Sequence, residues 1–266
     1  MQALPLAIMA FILYLGAASW QGLTLLRRVP QRPAMVRALG LLGLLFHLPV
    51  ALKLIDQSPG LMPGLSTSAV FLTAIMVVLL LAVSMAKPVL NVAVGLFPLS
   101  GLALLLAVGL PSPERTGGMT PGIALHAISS ALAFAVMAIA AFQAVLLGLQ
   151  NQALRHHHTR GVVQVLPPLT TMERVLFELI WSGMILLTLA IVSGFIFVES
   201  MFSQHLAHKT ILALAAWVIF AILLISHHVL GWRGMRAVRW TLGGYSVLLL
   251  AYFGSKFVLE VILNRT

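Results

Sequence analysis

The sequence predicts an all-α polytopic membrane protein: a bundle of about eight transmembrane helices, both termini outward (periplasmic), forming a single transmembrane helical domain over residues 1–266. Three observations carry that prediction. Of 266 residues, 61% are hydrophobic and only 8% charged, with a mean hydropathy of +1.05, too little polar character for a soluble surface. The apolar residues gather in eight segments, each near the ~20 residues that a bilayer crossing needs. The basic residues sit in the connections between segments and are shared unevenly between the two sides.

The first segment, 4–26, has no basic stretch before its apolar run and is long enough to span, so it reads as an uncleaved helix rather than a secretory signal peptide. "RRVPQRP" ends it. The second, 35–55, contains "GLLGLLFHLPVALK" and gives way to "QSPGLMPG". The third, 64–86, is parted from the fourth, 89–110, only by Lys87-Pro88, which reads either as a short hairpin or as a kink in a re-entrant element. "PSPERTGGMTPG" then leads to the fifth, 122–149. A polar segment, 150–171, holds "RHHHTR" and "VLPPLTT" and leads to the sixth, 175–198. The seventh, 210–230, follows "SQHLAHKT", and "GWRG" turns the chain into the eighth, 237–263.

Orientation follows from charge. Eleven Lys and Arg lie on the side of the first, third, fifth and seventh connections, among them Arg27, Arg28, Arg155, Arg233, Arg236 and Arg239; five lie on the other side. The positive-inside rule places the first set in the cytoplasm. The same rule accounts for the net charge of +10 without nucleic acid as a partner. The chain has no cysteine, which excludes disulfides, thiolate metal sites and a covalently attached c-type haem. No phosphate-binding loop, dinucleotide glycine pattern, nucleophile elbow or zinc-protease motif occurs.

The candidate site residues are histidines, because an ionisable group inside a bilayer is costly and marks function by default. His47 lies within the second span, and Gly40 and Gly43 share its helix face. That face reads either as a smooth seat for a flat cofactor or as a packing surface. His227 and His228 close the seventh span about 100° apart around the helix, so only one meets a given partner. His227 is assigned to the bundle interior and His228 to the headgroup region. His126 opens the fifth span on the outward side, with Ser129 and Ser130 beside it; His205 and His208 lie in the outward loop before the seventh. His156, His157 and His158 read as a solvated basic loop. Neutral imidazole is a common ligand of haem iron, and two histidines on facing helices clamp it. At ~1.5 Å per residue, His47 lies roughly 15 Å and His227 about 6 Å from the cytoplasmic ends of their spans, so such a pairing is permitted rather than demanded.

Three stretches carry a resemblance: "LHAISSALAFAVMAIAAFQAVLLGLQ", "LPPLTTMERVLFELIWSGMILLTLAIVSGFIF", and the run from "AHKTILALAAW" through "SHHVLGWRG" to "AYFGSKFVLEVIL". Together they resemble the integral-membrane cytochrome c assembly family, which includes the CcsA, CcmC and HemX haem-handling types, and in particular its short YpjD-like inner-membrane branch. The likeness is clearest over 122–263. It implies a multi-pass protein of the bacterial inner membrane that binds haem b non-covalently and has no enzymatic turnover. Its implied cofactor-binding residues are His47, His126, His208 and His227, with His47 and His227 on the haem iron. Haem, membrane lipids and other cytochrome c biogenesis or haem-pathway membrane proteins are the implied partners. The sequence departs from the family pattern in the loop before the seventh span. None of Trp20, Trp181, Trp217, Trp232 and Trp240 lies there, so the aromatic shelf of better-characterised members is missing. Two other readings stay open: a small-solute or proton-coupled transporter with a histidine relay, and a non-catalytic structural subunit of a membrane complex.

Overall fold

The computed structural model describes residues 3–56, 65–109, 121–156, 162–197 and 207–254. Among these the chain is helical throughout, with no strand. The elements are α1 (Ala3–Leu25), α2 (Pro33–Asp56), α3 (Leu65–Ala86), α4 (Ala93–Gly109), α5 (Pro121–Arg155), α6 (Val162–Val165), α7 (Leu169–Phe197), α8 (Ala207–Leu230) and α9 (Met235–Leu249). Seven of them are long and apolar enough to cross a membrane, α4 together with the 3-10 turn before it. α9 passes into a π-helical turn, Leu250–Gly254, within the eighth expected span; the remainder of that span lies outside the described residues.

Two compact units are distinguished. Unit 1 comprises Met1–Thr116 and Leu146–Val175; unit 2 comprises Gly117–Val145 and Leu176–Thr266. In unit 1, α1 packs against both α2 and α4, and α3 against α2 and α4. Glycine allows the close approaches: a Cβ on Gly101 of α4 would stand 2.6 Å from the Phe11 ring and 3.2 Å from the Phe11 Cα. In unit 2, α8 packs on α9 and its π turn.

The connections show how the spans end. α1 closes with Arg27 at φ 59°, its N–H on the Thr24 carbonyl, while the Arg28 N–H reaches back to Leu23. This is the reciprocal C-terminal cap that usually recruits glycine. Lys87-Pro88 is a hairpin: Val89 N–H returns to the Lys87 carbonyl and a 3-10 turn, Leu90–Val92, leads into α4. At the same end of unit 1, buried Gln21 donates to the Asn91 side chain at 2.7 Å, and Arg37 donates to the Ser84 carbonyl at 2.6 Å. Removing Gln21 leaves the half-buried Asn91 side-chain oxygen without its donor, at a cost of about 1 kcal/mol. Gln21→Leu is therefore expected to lower the unfolding midpoint in detergent, and Gln21→Leu/Asn91→Leu to recover part of it.

Two expected boundaries shift. α5 continues to Arg155 rather than 149, and α7 starts at Leu169 rather than 175. Much of the segment expected as a polar connection is thus helix. The reason is that backbone hydrogen bonding continues past the apolar stretch: Pro168 caps α7 by accepting from Thr171 and Met172. At ~1.5 Å per residue the 35 residues of α5 extend about 50 Å, beyond the bilayer's apolar core.

Candidate functional site

His47 is fully buried in unit 1. Its Nε2 lies 3.1 Å from the Val70 carbonyl oxygen. A carbonyl has no proton to give, so Nε2–H is the donor and Nδ1 keeps the lone pair of a neutral ring. The Tyr14 hydroxyl, 3.2 Å away, donates to that lone pair. The two rings meet edge-on at 6.0 Å, and Tyr14 also lies against Phe97 at 5.3 Å. Thr73 donates to the Ala69 and Val70 carbonyls. Both nitrogens of His47 are therefore engaged inside the protein.

The glycines beside His47 serve packing. A Cβ on Gly40 would stand 2.6 Å from the Phe97 ring, and one on Gly43 2.6 Å from the Tyr14 ring. The face read as a possible seat for a flat cofactor is occupied by Tyr14, Phe97 and Leu81. Small residues here let α1 and α4 approach α2 closely, as in other membrane helix contacts.

Unit 2 holds two histidines of a different kind. His126 lies half-buried in the second turn of α5, and its Nδ1 is 2.8 Å from the Ala190 carbonyl of α7. Nδ1–H donates, leaving the lone pair on Nε2, which makes no hydrogen bond among the described residues. The reach across to α7 is short because Gly122 leaves room for Phe197, and Gly183 for Met137. Ser129 turns its hydroxyl back onto the carbonyls of Leu125 and His126 and so serves its own helix.

His227 repeats the arrangement at the other end of α8. Its Nδ1–H donates to the Trp232 carbonyl at 2.8 Å, and its ring stacks on Phe177 with centroids 3.5 Å apart and planes at 16°. The "GWRG" turn makes this possible. Gly231 and Gly234 have φ of +65° and +57°, and the Trp232 N–H closes on the Ser226 carbonyl, bringing the next carbonyl back over His227. Side chains with a Cβ tolerate that backbone poorly, at about 1 kcal/mol or more. Gly231→Ala is expected to lower the unfolding midpoint and to loosen His227, read as broadened ring resonances in histidine-labelled protein.

His228 is exposed. Its Nδ1–H bonds the Leu224 carbonyl of its own helix, and its ring meets the edge of Trp181. The expected division thus agrees with the geometry: His227 half-buried, His228 outside. Trp181 also borders a shallow apolar groove of about 370 Å³ along α7 and α8, with Trp217 at its other side donating to Thr188. His208, in the first turn of α8, is exposed, and no hydrogen bond or ring contact joins it to His126. His157, His158 and His205 lie outside the described residues. Among those described, no group of three or more histidine, aspartate or glutamate side chains is placed to hold a metal ion. His47 belongs to unit 1, and His126, His208 and His227 to unit 2.

The partners of the histidine rings escaped sequence reasoning: Tyr14 and the Val70 carbonyl on His47, the Ala190 carbonyl on His126, and Phe177 and the Trp232 carbonyl on His227. Tyr14 had a signal, the one phenol in the first span. The two glycines three apart in "GWRG" were the signal for the turn. Phe177 had none.

These features define a class: a polytopic helical membrane protein whose embedded imidazoles are held in set tautomers, two of them with an open Nε2. A family model described as cytochrome c assembly protein matches residues 35–263, and the chain belongs to that family. It is similar to the inner membrane protein YpjD of Escherichia coli strain K12 and of Escherichia coli O157:H7, at 34% identity over 160 residues in each case. It is also 34% identical over 163 residues to an uncharacterized 28.8 kDa protein in the nifR3-like 5′ region of Azospirillum brasilense. Each alignment covers 60% of this chain and 60% of the relative, so the chain spans less than two thirds of the curated relatives it matches. No solved structure matches it.

Proposed function

We propose that this chain is a non-catalytic haem-binding protein of the bacterial inner membrane. It holds haem b non-covalently through histidines and serves cytochrome c assembly alongside other membrane proteins of that process. Family membership supports the process, and the inner-membrane designation of the Escherichia coli relatives supports the compartment.

The observation that carries the haem reading is the shared setting of His126 and His227. A ring whose Nδ1–H is tied to a backbone carbonyl has its tautomer, its orientation and its basicity set for a metal at Nε2. His227 is the membrane-embedded iron ligand in unit 2, with Phe177 holding the ring flat. His126 is the outward ligand, with His208 on the same side. His47, the ligand expected in unit 1, has both nitrogens engaged by Val70 and Tyr14 and a filled face beside it, so the reading rests on His126 and His227. The absence of cysteine limits attachment to non-covalent bonds. Arg233, Arg236 and Arg239, all exposed beyond α8, suit the haem propionates or lipid headgroups. Haem, when bound, supplies an iron centre that takes imidazole nitrogen. Both termini face the periplasm in this reading, on the charge asymmetry of the loops.

The test is an optical spectrum of the detergent-purified protein, oxidised and then reduced with dithionite, with a pyridine haemochrome assay. The expected result is a sharp reduced band of histidine-ligated haem b near one equivalent. A colourless protein, even when produced with added haem, removes the reading and favours a transporter or a structural subunit.

A further inference from the structure

We propose that the groove between α7 and α8 binds one molecule of an anionic phospholipid with a hydroxyl-bearing headgroup. One acyl chain lies in the groove, and the headgroup sits at His228 and Arg233. The site does not depend on haem, and it uses the histidine that the haem-binding reading leaves aside.

The two helices meet along contacts that run in opposite directions. Phe177 stacks on His227 and Trp181 meets His228 at one end, and Thr188 takes the Trp217 N–H at 2.9 Å at the other. Between these ties lies the groove of about 370 Å³, within the ~300–1,000 Å³ of small-molecule pockets. Buried Met184 and Leu224 line it, and the indoles of Trp181 and Trp217 border it. Membrane tryptophans gather at the interfaces, yet Trp217 is the eleventh of the 24 residues of α8. With its N–H paired to Thr188, that indole offers only apolar surface. Trp217 and His228 are 11 residues apart in one helix, roughly 16 Å at ~1.5 Å per residue. The hydrocarbon of one leaflet is about 15 Å deep, half of the ~30 Å core. A single acyl chain hanging from headgroup level therefore matches the groove in length.

The end of the groove supplies the headgroup chemistry. His228 is exposed there, its Nδ1–H spent on the carbonyl of Leu224, a groove residue, and its ring against the edge of Trp181. The neutral ring keeps a lone pair on Nε2, which makes no hydrogen bond among the described residues and accepts from a hydroxyl. Arg233 is exposed and follows Trp232, whose carbonyl is held on His227 at 2.8 Å, so the turn keeps Arg233 beside the last turn of α8. A guanidinium matches a phosphate with two parallel N–H bonds. Arg236 and Arg239 add positive charge, and no acidic residue occurs between Glu199 and Glu260. A phosphoglycerol headgroup presents both an anion for Arg233 and hydroxyls for His228. A phosphocholine headgroup has neither net charge nor hydroxyl.

The test is native mass spectrometry of the detergent-solubilised full chain with added phosphatidylglycerol, or with phosphatidylcholine of the same acyl chains. Four forms are compared: the wild type, Ala221→Phe, Arg233→Gln and His228→Phe. Ala221 lines the groove, so a phenyl ring there fills it. His228→Phe keeps a ring against Trp181 and removes the nitrogens. The expected result is one phosphatidylglycerol retained by the wild type several-fold more strongly than phosphatidylcholine. Ala221→Phe loses that molecule, and Arg233→Gln and His228→Phe hold it no better than phosphatidylcholine. Equal retention of the two lipids by the wild type overturns the site. So does phosphatidylglycerol retention that survives Ala221→Phe, or a preference that both headgroup variants keep. Two copies of the chain associated in the wild type and separated in Ala221→Phe overturn it in favour of a contact between copies. Should Ala221→Phe not fold, Ile225→Phe at the exposed edge of the groove takes its place, and the same loss is required of it.

Discussion

His227→Ala is expected to empty the purified protein of most of its haem, while His228→Ala leaves the content unchanged. The two residues are neighbours in sequence, of the same chemistry and at nearly the same depth. What separates them is the setting of the ring. His227 is half-buried, stacked on Phe177 and tied by Nδ1–H to the Trp232 carbonyl. His228 is exposed and bonds only within its own helix. Removing a group that merely orients a metal ligand costs about 10–100-fold in affinity; removing the ligand itself costs more. The pyridine haemochrome assay on the two variants, purified in parallel, reads the difference. Equal loss in both would mean that the membrane edge rather than a particular nitrogen retains haem. Loss only in His228→Ala would exchange the roles.

Gly43→Val is expected to destabilise the protein by about 1–3 kcal/mol, the range for overpacking a tight interior. A Cβ alone at position 43 would stand 2.6 and 2.7 Å from two ring carbons of Tyr14, and valine adds two further methyl groups. The ring cannot retreat freely, since Phe97 lies against it. The expected signature is a coupling of sign. Tyr14→Ala by itself destabilises by leaving a cavity, yet in the Gly43→Val background it restores part of the midpoint by making room. Unfolding midpoints of the two single variants and the double variant, taken in the same detergent, measure that coupling. Additive losses would show that the valine is accommodated without pressing on Tyr14.

Both predictions concern tertiary detail around residues already singled out by their type. His47, His126 and His227 stood out because histidine is rare and costly in an apolar span. The class of fold stood out because about 20 consecutive apolar residues suffice to define a crossing. The helix ends were read less well. α5 and α7 run into polar sequence that hydropathy counts as loop, because a helix needs only its next hydrogen bond and a cap such as Pro168, not apolar side chains. The Gly40 and Gly43 face was recognised as smooth, but whether a cofactor or a neighbouring helix covers such a face depends on what the bundle brings against it.

Taken alone, then, the sequence determined that the chain is a helical membrane protein, where seven apolar helices lie apart from the ends of α5 and α7, and which imidazoles are candidates. Each of these depends on local composition. Only the tertiary structure decided which nitrogen of each imidazole is free. His47 is closed by Tyr14 and Val70 and His126 is set by Ala190, on helices 33, 23 and 64 residues away, while His227 is set by a turn whose two left-handed glycines aim one carbonyl. A ring has one proton and one lone pair, and what it can bind is settled by the partners the fold places against it.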